Sequence, residues 1–228
     1  MTRVLAVLRP EPGNAATCAR AAEAGFATLS LPLFAVEALD WDVPDPAQHD
    51  ALILTSANAL RYGGAGIAAL TGLPVLAVGP HTAAAACAAG FDVMAIGSGD
   101  GAQIASVAHA HGIRRALHLT GRDRTLAAGG AIACVLPVYQ SVAVPVAPDA
   151  LGALDGTIAL LHSARAARRL ETLVTAAGLE RSHIAIAAFS AAIAATLGAG
   201  WGGVVAAATP DDAALFAATL ALPRATGD

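Results

Sequence analysis

The feature that most constrains this chain is the stretch Val135-Leu136-Pro137-Val138-Tyr139-Gln140-Ser141-Val142-Ala143-Val144-Pro145. Its β-branched residues and two prolines make it extended and disfavour helix there. It has an earlier echo in Leu31-Pro32-Leu33-Phe34-Ala35-Val36, with the same Leu-Pro-aliphatic-aromatic start. Both follow apolar, strand-like runs. The simplest geometry is a pair of crossovers, near 31–37 and 136–145. The chain leaves one lobe through the first, builds a second lobe, and returns through the other. A cleft then lies between the lobes, with Tyr139 beside it. The lobes are expected over 1–34 plus 143–228, and over 37–136.

The intervening sequence keeps one rhythm: a short apolar run, a turn of small or hydroxyl residues, then an Ala-rich helical stretch. Strands are expected at 4–8, 27–31, 51–54, 74–78, 93–96, 116–119, 132–136, 157–161, 184–188 and 204–207. Helices are expected from Asn14 as cap to Ala24, after 55–58 to Ala69, from Pro80 to Gly90, to His111, from 162–165 to Ala177, from Ser190 to Leu197, and after Pro210. The piece 127–131 is too short for a crossover helix. Such alternation means α/β with parallel sheets, flavodoxin-like or Rossmann-like in each lobe. The length of 228 residues suits one large domain or two smaller ones.

Composition removes several functions. Net charge is −4, which argues against nucleic acid or an anionic membrane as partner through bulk charge. All 13 basic residues are Arg, so Schiff-base and P-loop lysine chemistry are excluded. A GC-rich coding bias accounts for the missing Lys. Cys18, Cys87 and Cys134 have no metal or disulfide spacing, and are expected as buried thiols in a reducing cytoplasm. The uncharged span 182–210 is broken by glycines, so it reads as a buried β-α-β unit rather than a membrane span. The start of the chain lacks a signal-peptide core.

The turns after the strands carry the candidate chemistry. Thr55-Ser56, Gly79-Pro80-His81-Thr82, Gly97-Ser98-Gly99-Asp100-Gly101, Thr120-Gly121, His162-Ser163, Phe189-Ser190 and Thr209-Pro210 fall at the edge where open α/β sheets bind ligands. Helix N-termini there offer free N–H groups to carboxylates or phosphates. Ordinary capping explains any one of them equally well. Arg9, at the end of the first strand, and Arg165 suit an anionic ligand. His81 and His162 are expected as solvated turn residues. The seven His have no metal spacing, and neither G-x-G-x-x-G nor G-x-S-x-G occurs in a fitting place.

In this order the pieces Val7-Leu8-Arg9-Pro10, Leu54-Thr55-Ser56-Ala57-Asn58-Ala59, Ala77-Val78-Gly79-Pro80-His81-Thr82-Ala83, Val138-Tyr139-Gln140-Ser141, His162-Ser163-Ala164-Arg165, Phe189-Ser190 and Ala208-Thr209-Pro210-Asp211 resemble the uroporphyrinogen-III synthase family. The resemblance implies two α/β lobes joined by a two-stranded linker. It implies a cofactor-free, metal-free reaction on hydroxymethylbilane, a linear tetrapyrrole with eight carboxylates. Its hydroxyl leaves as water, an azafulvene attacks the substituted carbon of ring D, and a spiro intermediate reopens and closes with ring D inverted. By position, Tyr139 assists departure of the hydroxyl, while Arg9, Thr55, Ser56, Asn58, Thr82, Ser163, Arg165 and Ser190 meet the substrate. The implied protein is a cytoplasmic monomer, in transient contact with the enzyme that makes its substrate. Two departures stand out: 120–131 is short for the usual helix, and Ala164 replaces a frequent Pro. Readings from other classes are a two-lobed small-molecule binding protein without catalysis and a regulatory α/β interaction module.

Overall fold

The computed structural model describes residues 3–98, 101–123 and 126–222. The chain opens with β1 (Val4–Val7), α1 (Gly13–Glu23), β2 (Ala27–Ser30) and β3 (Phe34–Ala38). Next come β4 (Ala51–Leu54), α2 (Asn58–Tyr62), β5 (Val75–Ala77), α3 (Pro80–Ala88), β6 (Val93–Ile96), α4 (Gly101–Ala110) and β7 (Ala116–Gly121). The twelve-residue β8 (Ile132–Ala143) follows, then α5 (Pro148–Gly152), β9 (Ile158–Leu161) and α6 (Ala164–Ala176). The order ends with β10 (Ala185–Ala188), α7 (Ala191–Ala194), β11 (Val204–Ala206) and α8 (Asp212–Thr219). The chain divides into two compact units, residues 1–35 with 143–228 and residues 36–142.

The first unit holds a five-stranded sheet in the order β11-β10-β9-β1-β2, every pairing parallel. The order reverses between β1 and β9, a switch point of the flavodoxin kind. Successive strand residues face opposite sides, so the apolar runs split between two cores. Leu5, Val7, Ile158 and Leu160 pack under Ala21 of α1 and Leu215 and Phe216 of α8. Ala6, Leu8, Ala159 and Leu161 pack under Leu151 of α5 and Ala167, Leu170 and Val174 of α6.

The second unit holds a six-stranded sheet, β3-β8-β7-β4-β5-β6. Its reversal lies between β4 and β7, the Rossmann arrangement with β3 added outside β8. Leu52, Leu54, Leu117 and Leu119 face Ala59, Ile67 and Ala83 on one side, while Ala51, Ile53 and Ala116 face Ile104 and Ala108 of α4 on the other. Pro137 lies inside β8, next to the irregularity of pairing at Thr120/Gly121, where a missing N–H is tolerated. Beyond β3 the Leu39 N–H donates to the Val138 carbonyl at 3.0 Å, and beyond β8 the Val144 N–H donates to the Leu33 carbonyl at 3.1 Å.

Several expected elements differ. Asn14 does not cap α1; Pro12 stands at the cap, and Asn14 is buried inside the first turn. The helix expected to reach Ala69 stops at Tyr62 and passes into a 3-10 helix over Gly64–Leu70, because Gly63, Gly64 and Gly66 interrupt it and Gly64 takes φ +63°. Pro210 lies outside α8, whose cap is Asp211. The helix after Ser190 is one turn rather than reaching Leu197. The short α5 was not anticipated. Residues 126–131 form no helix, and Gly129 bridges to Ile132. Cys87 is exposed and Cys18 and Cys134 are only partly covered, against the expectation of buried thiols. Among the described residues no helix is long and apolar enough to cross a membrane; the span 182–210 holds β10, α7 and β11 instead.

Candidate functional site

In the first unit the switch point is occupied by a buried polar cluster. Its centre is Asp212, which opens α8 and is 7% exposed. One carboxylate oxygen accepts the Thr17 hydroxyl at 2.8 Å and the Arg20 Nε at 2.9 Å, with an Arg20 Nη on the same atom. The other takes His162 Nε2 at 3.2 Å. α1 supplies Thr17 and Arg20 three residues apart on one face, and β9 delivers His162 from its carboxyl end. Burial pushes the Asp212 carboxyl up. Hydrogen bonds from His162, Arg20 and Thr17 and the Arg20 charge outweigh that, holding it well below the usual carboxylate range.

His162 was expected in solvent, yet its side chain is only 7% exposed. Phe189 lies edge-on to it at 4.2 Å. Burial depresses its pKa against the pull of Asp212, so the ring is neutral at pH 7 and Nε2–H is the donor to the carboxylate. Its Nδ1 finds no partner of hydrogen-bond geometry among the described residues, although the Leu160 backbone exerts a small opposing pull. His81, by contrast, is exposed.

Arg9 leaves the end of β1 and folds back over α1. A Cβ on Gly13 would stand 2.5 Å from its Nε, so the glycine is what lets the side chain pass. Nη1 reaches the Thr17 hydroxyl at 3.4 Å. Burial lowers the Arg9 pKa and Asp212 partly restores it. Asn14 fastens this corner: its amide donates to the Val7 carbonyl at 2.7 Å and the Arg9 carbonyl at 3.1 Å, and it accepts from Ser30 at 2.7 Å. Ser163 and Ser190 cap α6 and α7, accepting the Ala166 and Ile193 N–H groups. Arg165 stacks on the Phe34 ring at 4.4 Å.

In the second unit Thr55 follows β4, and its hydroxyl pairs with Nε2 of the fully buried His118 at 3.1 Å. Ser56 accepts the Asn58 N–H at 3.2 Å, and Asn58 in turn accepts from Arg61 at 3.1 Å. Thr82 is buried in the first turn of α3. Tyr139 pairs in register with Gly121 two strands away from Thr55, half-buried against the edge of the core. Among the described residues its hydroxyl has no hydrogen bond. Gly99 and Asp100, parts of a turn singled out above, lie outside the described residues.

Sequence reading singled out Arg9 at the end of β1 and the turns that follow the strands; of these the fold sets Arg9 and His162 at the first unit's reversal of strand order and Thr55 at the second's, while Asp212, Thr17, Asn14 and His118 were not read as parts of a site. The one local signal was the Asp211-Asp212 pair: Asp211 already serves as cap, its Oδ1 accepting from Ala214 at 2.8 Å, which leaves the second acid without a helix-start task.

A sequence profile of the family described as uroporphyrinogen-III synthase HemD matches residues 15–217. No curated protein matches the chain in sequence. Among solved structures, the fold is similar to the uroporphyrinogen-III synthetase of Helicobacter pylori 26695, at 16% identity over 96% of this chain and 99% of that one, with a TM-score of 0.63. It is also similar to a mutant uroporphyrinogen III synthase from the extremely thermophilic bacterium Thermus thermophilus, at 17% identity, 96% and 98% coverage and a TM-score of 0.55. At these identities the likeness is one of fold.

Proposed function

The chain belongs to the uroporphyrinogen-III synthase family, and we propose from that premise how its residues divide the work. The activity is the cyclisation of hydroxymethylbilane to uroporphyrinogen III, with loss of water and inversion of ring D. The match over 15–217 carries this conclusion, since it takes in both units.

The two units are joined by the extended segments near 31–37 and 136–145, and the bilane is proposed to be held by the strand-end turns of each. The substrate's carboxylates meet the carboxyl edges of both sheets. Arg9 supplies a charge, because its guanidinium is partly desolvated and, among the described residues, held only by a long bond to Thr17. Arg165, whose guanidinium lies over the Phe34 ring, supplies another. Ser163 and Ser190 spend their hydroxyl oxygens on capping, so their part is to set the first N–H groups of α6 and α7 toward carboxylates. In the second unit Thr55, Ser56, Asn58 and Thr82 are the residues proposed to meet the substrate. Tyr139 donates its hydroxyl proton to the leaving oxygen. A phenol O–H is a hydrogen-bond donor, and with no hydrogen bond among the described residues that of Tyr139 is available for the task. The pyrrole nitrogen drives ionisation, so the protein's larger contribution is conformational.

The test is the product isomer formed from hydroxymethylbilane, together with Tyr139→Phe. Isomer III is expected from the wild type; binding without turnover, or isomer I alone, would favour the non-catalytic binding protein. Tyr139→Phe should lower kcat about ten- to a hundred-fold, roughly 1.4–2.7 kcal/mol of barrier, while keeping isomer III and the melting temperature. A full rate removes Tyr139 from the chemistry.

A further inference from the structure

The chain has two tyrosines, and they lie against each other. Tyr62 ends α2, and its ring centroid is 6.4 Å from that of Tyr139, with the planes tilted by 38°. That spacing is within the range of favourable aromatic pairs. Tyr62 is itself held in place. The Trp41 indole N–H donates to the carbonyl of Gly63, the residue after Tyr62, at 2.9 Å. The indole fits because Gly66 has no side chain: a Cβ there would come within 2.9 Å of Trp41 Cζ2.

Gly121 bounds the Tyr139 ring from β7. A Cβ on Gly121 would stand 2.8 Å from Cε2, 2.9 Å from Cζ and 3.1 Å from the hydroxyl oxygen. The ring therefore lies on bare backbone, along the edge that carries the hydroxyl. The backbone beneath is fixed as well, since the Arg122 N–H donates to the Tyr139 carbonyl at 2.8 Å. Gly121 does not have a positive φ, so what it contributes is room and not a special backbone conformation.

We propose that Tyr62 is a positioning residue for Tyr139, packing its ring against the phenol that rests on Gly121 so that the hydroxyl is kept at one place over the leaving oxygen. The proposal rests on the reading of Tyr139 as the proton donor. The physical reason is rotamer population. A half-buried tyrosine released on one side can share its time among about three staggered χ1 wells, so the productive one loses about threefold in occupancy. A displacement of ~1 Å within the well costs more. The aromatic ring of Tyr62 does this work, because no hydrogen bond joins the two hydroxyls among the described residues.

The experiment is a double-mutant cycle on kcat and KM with hydroxymethylbilane: Tyr62→Ala, Tyr62→Phe and Tyr62→Leu, each in the wild type and in Tyr139→Phe, with Gly121→Ala as an independent approach from the other side of the ring. Tyr62→Phe should keep the wild-type kcat. Tyr62→Ala should lower kcat about three- to tenfold at unchanged KM, and should cost less than about twofold once Tyr139 is Phe. Tyr62→Leu, which fills the space without an aromatic face, should fall between them and covers the case of an unstable Ala variant. Gly121→Ala should lower kcat in the wild type and have little further effect in Tyr139→Phe. An equal loss from Tyr62→Ala in both backgrounds overturns the proposal, as does a loss in Tyr62→Phe. A slow Tyr139→Phe beside a fully active Tyr62→Ala overturns the proposal and leaves the donor role standing. A fully active Tyr139→Phe removes both.

Discussion

Asp212 shows how far a single carboxylate can organise a sheet edge. It neutralises Arg20 and takes bonds from three side chains on two elements, one of them 195 residues away. Asp212→Asn keeps the shape but leaves Arg20 and Arg9 without their counter-charge. Arg20 is half in solvent, which screens part of the loss. The expected cost is about 1–3 kcal/mol, read from the denaturant midpoint at unchanged m-value. His162 gives a signature in pH. Its folded pKa is depressed, so between the unfolded value near 6.5 and the folded one the unfolded chain binds more protons. Its contribution is complete above that upper value and is lost as pH falls through the window. Asp212, also depressed, adds its own loss in stronger acid. Wild-type stability should therefore fall from pH 7.5 to 5.5, by at most ~1.4 kcal/mol per pH unit from this one group, and His162→Gln should flatten the slope; an unchanged slope would place the titration elsewhere. Little of this cluster was legible beforehand: Arg9 stood out at the end of its strand and the Asp211-Asp212 pair hinted at a spare acid, but Thr17 carries no local pattern. Only the fold brings them together, and a turn histidine reads as solvated until Phe189 covers it.

At the scale of elements the sequence is more forthcoming where local rules decide. Ser163 stands between an apolar run and an Arg-Ala-rich helix, and it is the cap that such a pattern implies. The β-α alternation follows from runs such as Ala51-Leu52-Ile53-Leu54, apolar on both faces because both are covered. What escaped were elements made by tertiary contact: α5, five residues long and ending in glycine, and the split of α2 from its 3-10 continuation by Gly63 and Gly64. Asn14 was mistaken for a cap because a buried amide bridging two strands has the same sequence signature as an exposed one. Ser163 also lets capping and binding be separated. Ser163→Ala removes the acceptor for the Ala166 N–H and should cost about 0.5–2 kcal/mol, and Ser163→Gly only a few tenths. If the serine acts on substrate only by shaping the helix start, KM rises in step with the lost stability of the two variants. A KM increase equal in both would mean that the hydroxyl touches the bilane.

The whole molecule is one chain in two units, and the topology states which piece stands alone. Residues 36–142 contain β4 through β7, nearly all of β8 and part of the edge strand β3, so their sheet is nearly complete. Residues 143–228 contain β9, β10 and β11 but lack β1, the strand that pairs with both β2 and β9. Without it, Ile158, Ala159 and Leu160 present an apolar strand with an open hydrogen-bonding edge, a condition that favours aggregation over folding. The missing piece can be returned covalently. Arg3 beside β1 donates to the Thr219 carbonyl at 3.0 Å and the Leu222 carbonyl at 2.8 Å, so the two ends of the described unit are neighbours. A permuted chain running 143–228 and then directly into 1–35 bridges that short gap with residues 223–228 and 1–2, eight residues able to span up to about 26 Å. It restores β1 between β9 and β2 and returns Arg9, Thr17 and Arg20 to Asp212. We expect 36–142 and the permuted chain each to melt cooperatively, and 143–228 alone to be insoluble or without a transition. Asp212→Asn in the permuted chain should lower its midpoint by the same amount as in the full protein, because the cluster lies wholly within that unit. A cooperative 143–228 beside an unfolded permuted chain would refute the assignment of β1 as its keystone.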